Sequence, residues 1–275
     1  EKKPENVIPR IEKVVGGRPF KLDWVSVYSF NCRRIDRFVH DRVIFVGDSA
    51  HVVSPFGARG GNGGMHDVDN LCWKLALVVG GGATDELLES YNQERIHGAD
   101  ENISNSSWTS RFMSPEPGVE MAFRNAALSL AVDTPFARRV VNAGRLSVPC
   151  RLTGSPLNGA DDPAFDVPQQ VGMVALDAPL SDGDGKMTWL MSQLGGRFVC
   201  LVTGSAEAPD ALPDGVDLVR VGRGGFGDAD GKVQARYGDG VYLVRPDQHV
   251  TARWIAPTRD DIAAALRCCT AMAAA

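Results

Sequence analysis

The sequence predicts an α/β protein in two parts. A strand, a glycine-rich loop and helices come first, and a smaller mixed sheet with flanking helices follows. Three observations carry this. Residues 43–46 (VIFV) are a continuous apolar run between charge and glycine, the pattern of a strand buried in a parallel sheet. From Asn62 to Val79 the apolar residues Met65, Val68, Leu71, Leu75 and Val78 recur every three or four positions, the period of an amphipathic helix. After a stretch rich in Pro and Gly, short apolar runs return at a spacing suited to a small sheet.

Taken in order, the strand falls within 41–48 (DRVIFVGD). Residues 57–64 (GARGGNGG) hold five glycines in eight and read as irregular loop. The helix from Asn62 stops at Gly80-Gly81-Gly82. A second helix opens at Thr84 or Asp85 with Thr84 as cap, shows Leu87, Leu88 and Tyr91 on its apolar face, and runs past Ile96 towards Ser104. Shorter helices follow at 120–131 and 136–143. Six Pro and Gly residues between Pro149 and Pro168 mark 151–170 as a linker. Strands are expected at 197–202, 216–221, 234–237, 241–244 and 250–254. Helices are expected at 188–194 and at 258–272, the latter opened by Thr258-x-x-Asp261. The final AMAAA should fray.

Composition narrows the function. The 275 residues carry 29 Lys+Arg and 34 Asp+Glu, a formal charge of −5, which excludes nucleic acid as the main partner. No apolar run is long enough to span a membrane, so no membrane association is expected. The six cysteines, at 32, 72, 150, 200, 268 and 269, include no Cys-x-x-Cys pair. They read as reduced thiols of a cytoplasmic protein, with no disulfide framework and no metal site. The chain opens on Glu1 without a leader pattern, which suggests a fragment or a processed chain.

The chemistry concentrates in Arg42–Leu75. Asp48 sits just past the C-terminal end of the expected strand, where open α/β sheets bind ligands. An ionised Asp only accepts hydrogen bonds, so its partner is a hydroxyl or N–H, or else it caps the following turn. The glycine-rich loop admits a flat ligand against the backbone. The helix behind it aims free N–H groups at that place.

This stretch resembles the second FAD-binding motif of the single-component aromatic-ring hydroxylases, the flavin monooxygenases similar to p-hydroxybenzoate hydroxylase and phenol hydroxylase. The match runs through Gly47, Asp48, Ala50, His51, Pro55, Gly57, Gly60, Asn62, Gly64, Asp67, Asn70, Leu71, Trp73, Lys74 and Leu75, then Tyr91, Glu94 and Arg95. It departs at Ser49, Arg59, Gly61 and Val68; Arg59 could alter charge near a flavin. Phe136–Leu146 and Tyr242–Trp254 resemble the C-terminal part of the phenol-hydroxylase branch, where a thioredoxin-like domain helps dimerise. The resemblance implies that residues 1–40 end a substrate domain, 41–150 are the C-terminal part of the FAD-binding domain, and 171–275 form a thioredoxin-like α/β domain. No Gly-x-Gly-x-x-Gly for the ADP half of FAD is present, so the chain reads as the C-terminal half of a monooxygenase.

The implied reaction is hydroxylation of a small phenolic substrate through a flavin C4a-hydroperoxide, with FAD as cofactor, NADPH or NADH as reductant and O₂ as co-substrate. The implied cofactor residues are Gly47, Asp48, Pro55, Gly57, Gly60, Gly61 and Asn62. Asp48 binds the ribityl chain, Pro55 packs near the reactive edge, and the amides at Gly61–Asn62 face the N1–C2=O edge. No catalytic side chain is assigned. His51 is structural or a base, and Trp73 belongs to the core. Lys74 faces solvent or pairs locally, and Asp67 and Asn70 tie the helix to backbone. The implied assembly is a homodimer or association with an N-terminal half. Two other functions compete: a non-catalytic thioredoxin-like interaction module, or a flavoenzyme of other chemistry such as a halogenase or reductase.

Overall fold

The computed structural model describes residues 3–142 and 147–270. Arg145 and Leu146 of the family pattern, and the AMAAA end, lie outside the described residues. The chain divides into two compact units, Glu1–Asn31 and Cys32–Ala275. In the first, helix α1 (Pro4–Val15) starts on a proline, which presets the helical φ. It ends at Gly16, whose φ of +62° is left-handed. Beyond it the backbone is irregular, with Tyr28 between Trp24 and Phe30 at ring separations of 6.4 and 6.3 Å.

The second unit opens with two short antiparallel pairs. Strand β1 (Arg33–Arg34) pairs with β4 (His51–Val52), and β2 (Val39–His40) pairs with β3 (Val43–Ile44). The expected parallel strand over 41–48 is therefore only the two-residue β3 of a hairpin, with Val43 56% exposed. A four-residue apolar run cannot specify its own partners, and no parallel neighbour reaches it among the described residues.

Four helices follow: α2 (Arg59–Val79), α3 (Glu86–Met113), α4 (Val119–Asp133) and α5 (Pro135–Asn142). Helix α2 begins three residues before Asn62, so most of the glycine-rich 57–64 segment is helical rather than loop. The glycines are there for close approach. A Cβ on Gly63 would meet His51 Cε1 at 3.1 Å, and one on Gly64 would meet Gly47 Cα at 3.4 Å. Helix α3 opens at Glu86 with Asp85 in the cap position, and continues to Met113, well past Ser104. Its burial extends through polar residues (Asn92, Glu94, Arg95, Asn102, Ser106), which a search for apolar periodicity passes over.

The C-terminal sheet has β7 (Phe198–Gly204), β8 (Val216–Gly222), β9 (Gly240–Val244) and β10 (Val250–Trp254) in the order β10-β9-β7-β8. Only the β7–β8 pair is parallel. Strand β7 is interior and buried from Phe198 through Thr203, as its unbroken apolar run requires. A hairpin of β5 (Pro179–Ser181) and β6 (Met187–Trp189) precedes it. The helix expected at 188–194 is thus the end of β6 plus a short 3-10 turn, Leu190–Gln193. The strand expected at 234–237 is instead helix α6 (Lys232–Tyr237): the Asp228 carboxylate accepts the Val233 and Gln234 amides at 3.1 and 2.8 Å, and Gly238 ends the turn. Helix α7 (Arg259–Thr270) opens on the Thr258–Asp261 capping box.

Alternation along β7 sends Val199 and Leu201 to a core with Leu180, Leu190, Tyr237 and Tyr242. Phe198, Cys200 and Val202 go to a second core with Ile262 and Cys269. That second core also takes Trp73 of α2 and Leu87 of α3; Trp73 lies edge-on to Phe198 at 5.6 Å. The sheet and the earlier helices therefore share apolar packing. Segment 151–170 is irregular but docked: the Gly159 amide donates to Thr251 at 2.8 Å, the Arg253 amide donates to Ala160 at 2.9 Å, and Leu157 is buried.

Candidate cofactor site

Three pieces of chain meet at the start of α2. The first is a 3-10 turn, Gly47–Ser49, entered through Gly47 at φ +57°. The Ser49 hydroxyl closes it, accepting from the Val46 amide at 3.1 Å and donating to the Val46 carbonyl at 2.7 Å. Ser49 therefore does the capping that was the alternative role for Asp48. Asp48 is exposed and has no hydrogen-bond or ion-pair partner among the described residues.

The second piece is the loop 53–58. Ser54 anchors it to α3, with its hydroxyl 2.6 Å from Ser106 and 2.9 Å from Ser110, which leaves Pro55 exposed. Gly57 (φ +84°) and Ala58 (φ +53°) are both left-handed and turn the chain into α2. Phe56 and Gly57 border a cavity of ≈ 460 Å³ lined also by Trp108, Phe112, Arg124 and Leu128, an apolar space of aromatic dimensions.

The third piece is the first turn of α2. A Cβ on Gly60 would touch Val53 at 3.8 Å, while one on Gly61 would stand in open space. No side chain caps this helix, and its first turn holds no acidic residue. Asn62 is exposed, its amide group spent on the Ala58 carbonyl at 2.6 Å. Uncapped N–H groups at a positive helix end thus lie beside an unpartnered carboxylate and an open backbone face. Gly47 stacking on Gly64 brings the turn and the helix together.

Beneath this surface a buried set of groups fixes the pieces. The Asp67 carboxylate accepts the Gly47 amide at 2.9 Å, His51 Nε2 at 2.7 Å and Arg95 Nε at 2.7 Å. Burial pushes the Asp67 carboxyl up, but His51 and Arg95 outweigh it and hold it below its ordinary value. His51 is 3% exposed, with its ring 5.7 Å from that of Phe38, and so packs into the buried support of the turn. The Arg59 guanidinium points inward, donating to Asn102 at 3.0 Å, so its charge is withdrawn from the exposed face.

A second buried cluster joins α2 and α3 to the sheet. Glu94 accepts Arg245 Nη1 and Nη2 at 2.6 and 3.0 Å, Lys74 Nζ at 2.7 Å, Asn70 Nδ2 at 2.7 Å and the Ser155 hydroxyl. Asp247 pairs with Arg245 at 2.5 Å. Lys74 is fully buried, so of its two expected readings the solvent-facing one fails and the paired one holds: it donates to Asn70 one turn away at 2.9 Å as well as to Glu94; burial lowers its pKa to about 8 despite Glu94. Asn70 binds side chains of this cluster rather than backbone. Burial raises Glu94 and Asp247, but Arg245 outweighs it for both, with Lys74 also acting on Glu94, and both stay below the carboxylate range. Sequence reasoning assigned Glu94 and Lys74 to the family pattern without a role. The available signal was that 67, 70 and 74 share one helix face with Leu71 and Val78.

An uncapped glycine-rich helix start, an exposed acceptor carboxylate and a backbone open to a flat ring fit a ligand carrying hydroxyl donors and an electron-rich edge. These are features that a flavin would meet. Residues 1–106 match the FAD binding domain family, and residues 168–272 match the aromatic-ring hydroxylase C-terminal family. It is 38% identical over 128 residues to a 3-(3-hydroxy-phenyl)propionate/3-hydroxycinnamic acid hydroxylase of Comamonas testosteroni, covering 46% of this chain and 22% of that one. The enzyme of the same name from Paraburkholderia xenovorans (strain LB400) is 28% identical over 317 residues, covering 90% of this chain and 50% of the relative. The chain therefore spans between about a quarter and a half of these curated relatives. Its fold is similar to that of the flavin-dependent monooxygenase PieE, solved in complex with FAD and substrate: TM-score 0.71, 24% identity, 97% of this chain and 55% of that one. No helix among the described residues is long and apolar enough to cross a membrane.

Proposed function

We propose that this chain forms the C-terminal portion of an FAD-dependent monooxygenase that hydroxylates a phenolic ring, with NADPH or NADH as reductant and O₂ as co-substrate. The observation that carries the reading is the exposed, unpartnered Asp48 carboxylate beside the uncapped start of α2. Bound there, FAD would supply the redox chemistry and the activation of oxygen. The chain's own part is to bind and orient. Asp48 accepts a hydrogen bond from a ribityl hydroxyl. Gly47, Gly57 and Gly60 let backbone approach the ring. The amides of Gly61 and Asn62 donate toward its electron-rich edge, where preorganised dipoles favour added negative charge. Pro55 packs beside the ring. Asp67, with His51 and Arg95, keeps the turn and helix in register. The aromatic-lined cavity at Phe56 and Gly57 supports an aromatic substrate. On this reading the C-terminal sheet is a redox-silent thioredoxin-like domain serving packing or dimerisation, and the division 1–40, 41–150 and 171–275 follows the family's domains.

The test is Asp48→Ala in the longest natural form of the protein. Loss of a charge-assisted hydrogen bond of about 1.5–3 kcal/mol should raise the FAD dissociation constant roughly 10- to 150-fold. The melting temperature of the FAD-free protein should not move, because Asp48 has no hydrogen-bond or ion-pair partner among the described residues. An unchanged FAD affinity would remove Asp48 from the site and with it the main support for this assignment.

A further inference from the structure

One grouping of side chains lies outside the flavin surface and outside both buried ionic clusters. His97 and Glu101 stand one turn apart on the same face of α3, and Cys150 meets them from the chain that follows α5. One ligand atom from each lies within 4.8 Å of the other two. We propose that His97, Glu101 and Cys150 bind a divalent transition metal of zinc's class, with water completing four-coordination.

The donor set suits that ion: imidazole nitrogen, carboxylate oxygen and thiolate sulfur all take zinc at about 2.0–2.3 Å. Ligands at those distances around a tetrahedral ion stand about 3.3–3.8 Å apart, so closure needs side-chain shifts of about 1 Å and no backbone change. The imidazole is already oriented, since its Nε2 lies 3.0 Å from the Arg151 carbonyl oxygen. A backbone acceptor holding the proton of one ring nitrogen leaves the other free to ligate, the usual support of a metal-bound histidine. The Cys150 thiol is buried and faces the Arg95 guanidinium. Binding breaks the S–H bond, forms a metal–sulfur bond and releases the proton to solvent, with no redox change. Cys150 lies about fifty residues beyond Glu101, which is why no ligand spacing shows in the sequence. The metal would cross-link α3, which carries both buried clusters, to the segment leading into the sheet.

Cobalt(II) is the direct probe, because a cobalt–thiolate bond gives a near-ultraviolet charge-transfer band and tetrahedral coordination intensifies the visible bands. The chelator-treated full chain should develop both at one equivalent of cobalt, and zinc should erase them. Cys150→Ser should abolish the thiolate band, His97→Gln should weaken binding about tenfold or more, and Cys268→Ser, at an exposed thiol elsewhere, should leave the spectrum unchanged. Absence of the thiolate band in the parent chain overturns the proposal whatever the variants do. So does a band that survives Cys150→Ser, or one that disappears equally with Cys268→Ser.

Discussion

Replacing Glu94 by Gln keeps the shape of the side chain and removes one charge from the buried cluster that joins α2, α3 and the sheet. In the parent, Lys74 and Arg245 are balanced by Glu94 and Asp247, all four at or near zero exposure. The variant leaves one positive charge uncompensated. It also turns an amide N–H₂ toward Lys74 and Arg245, which are themselves donors. Breaking one partner of a buried pair costs about 3–5 kcal/mol, because the remaining charge stays out of water. At about 2–4 °C per kcal/mol for a unit of this size, the melting temperature should fall by roughly 6–20 °C. Differential scanning calorimetry of the full chain reads this directly. Glu89→Gln is the control: its pair with Arg37 is 2.7 Å long but exposed, and should matter by no more than about 1 kcal/mol. The double variant Glu94→Gln/Lys74→Met, which restores charge balance, should recover part of the loss. A Glu94→Gln protein melting within about 2 °C of the parent would refute the assigned role of the cluster.

Acid should act through the same groups. Asp67, Glu94 and Asp247 all have folded-state pKa values below their unfolded ones, so the unfolded chain binds more protons. Their stabilisation is complete above the ordinary carboxylate range and is lost as pH falls below it. Urea unfolding at pH 6 and pH 3 should show that fall, with a smaller drop in Glu94→Gln, and an equal drop would argue against it. Gly63→Ala should destabilise by about 1 kcal/mol despite alanine's better helix propensity, because the new Cβ presses on a His51 ring pinned by Asp67 and stacked on Phe38; a gain in melting temperature would show that His51 can yield. Cys200 is buried and its thiol is pushed up to about 12, as is that of Cys269, so native-state alkylation should mark exposed Cys72 and Cys268 first. Rapid labelling of Cys200, or disulfide-reductase turnover, would contradict a redox-silent sheet.

The sequence by itself determined the helices α2, α3 and α7 and four strands of the C-terminal sheet, because each rests on local information: a 3.6-residue apolar period, a capping box, or an apolar run long enough to bury on both faces. It also singled out the glycine-rich start of α2 and Asp48, the residues on which the proposed flavin site rests. What it could not reach were the interactions that are strong only because distant parts of the chain exclude water together. Residues 43–46 look like a buried strand, yet pairing partners are a tertiary property, and here they supply only a two-residue hairpin. Gly63 and Gly64 look like loop until His51 and Gly47 are seen pressed against them. Segment 234–237 has the residues of a strand and becomes a helix because Asp228 and Gly238 frame it. Lys74 reads as a surface or locally paired residue, and only the meeting of α2, α3 and the β9–β10 connection makes it a buried cation. A charge leaves water when counter-charges from remote positions converge on it, and no local pattern records that convergence.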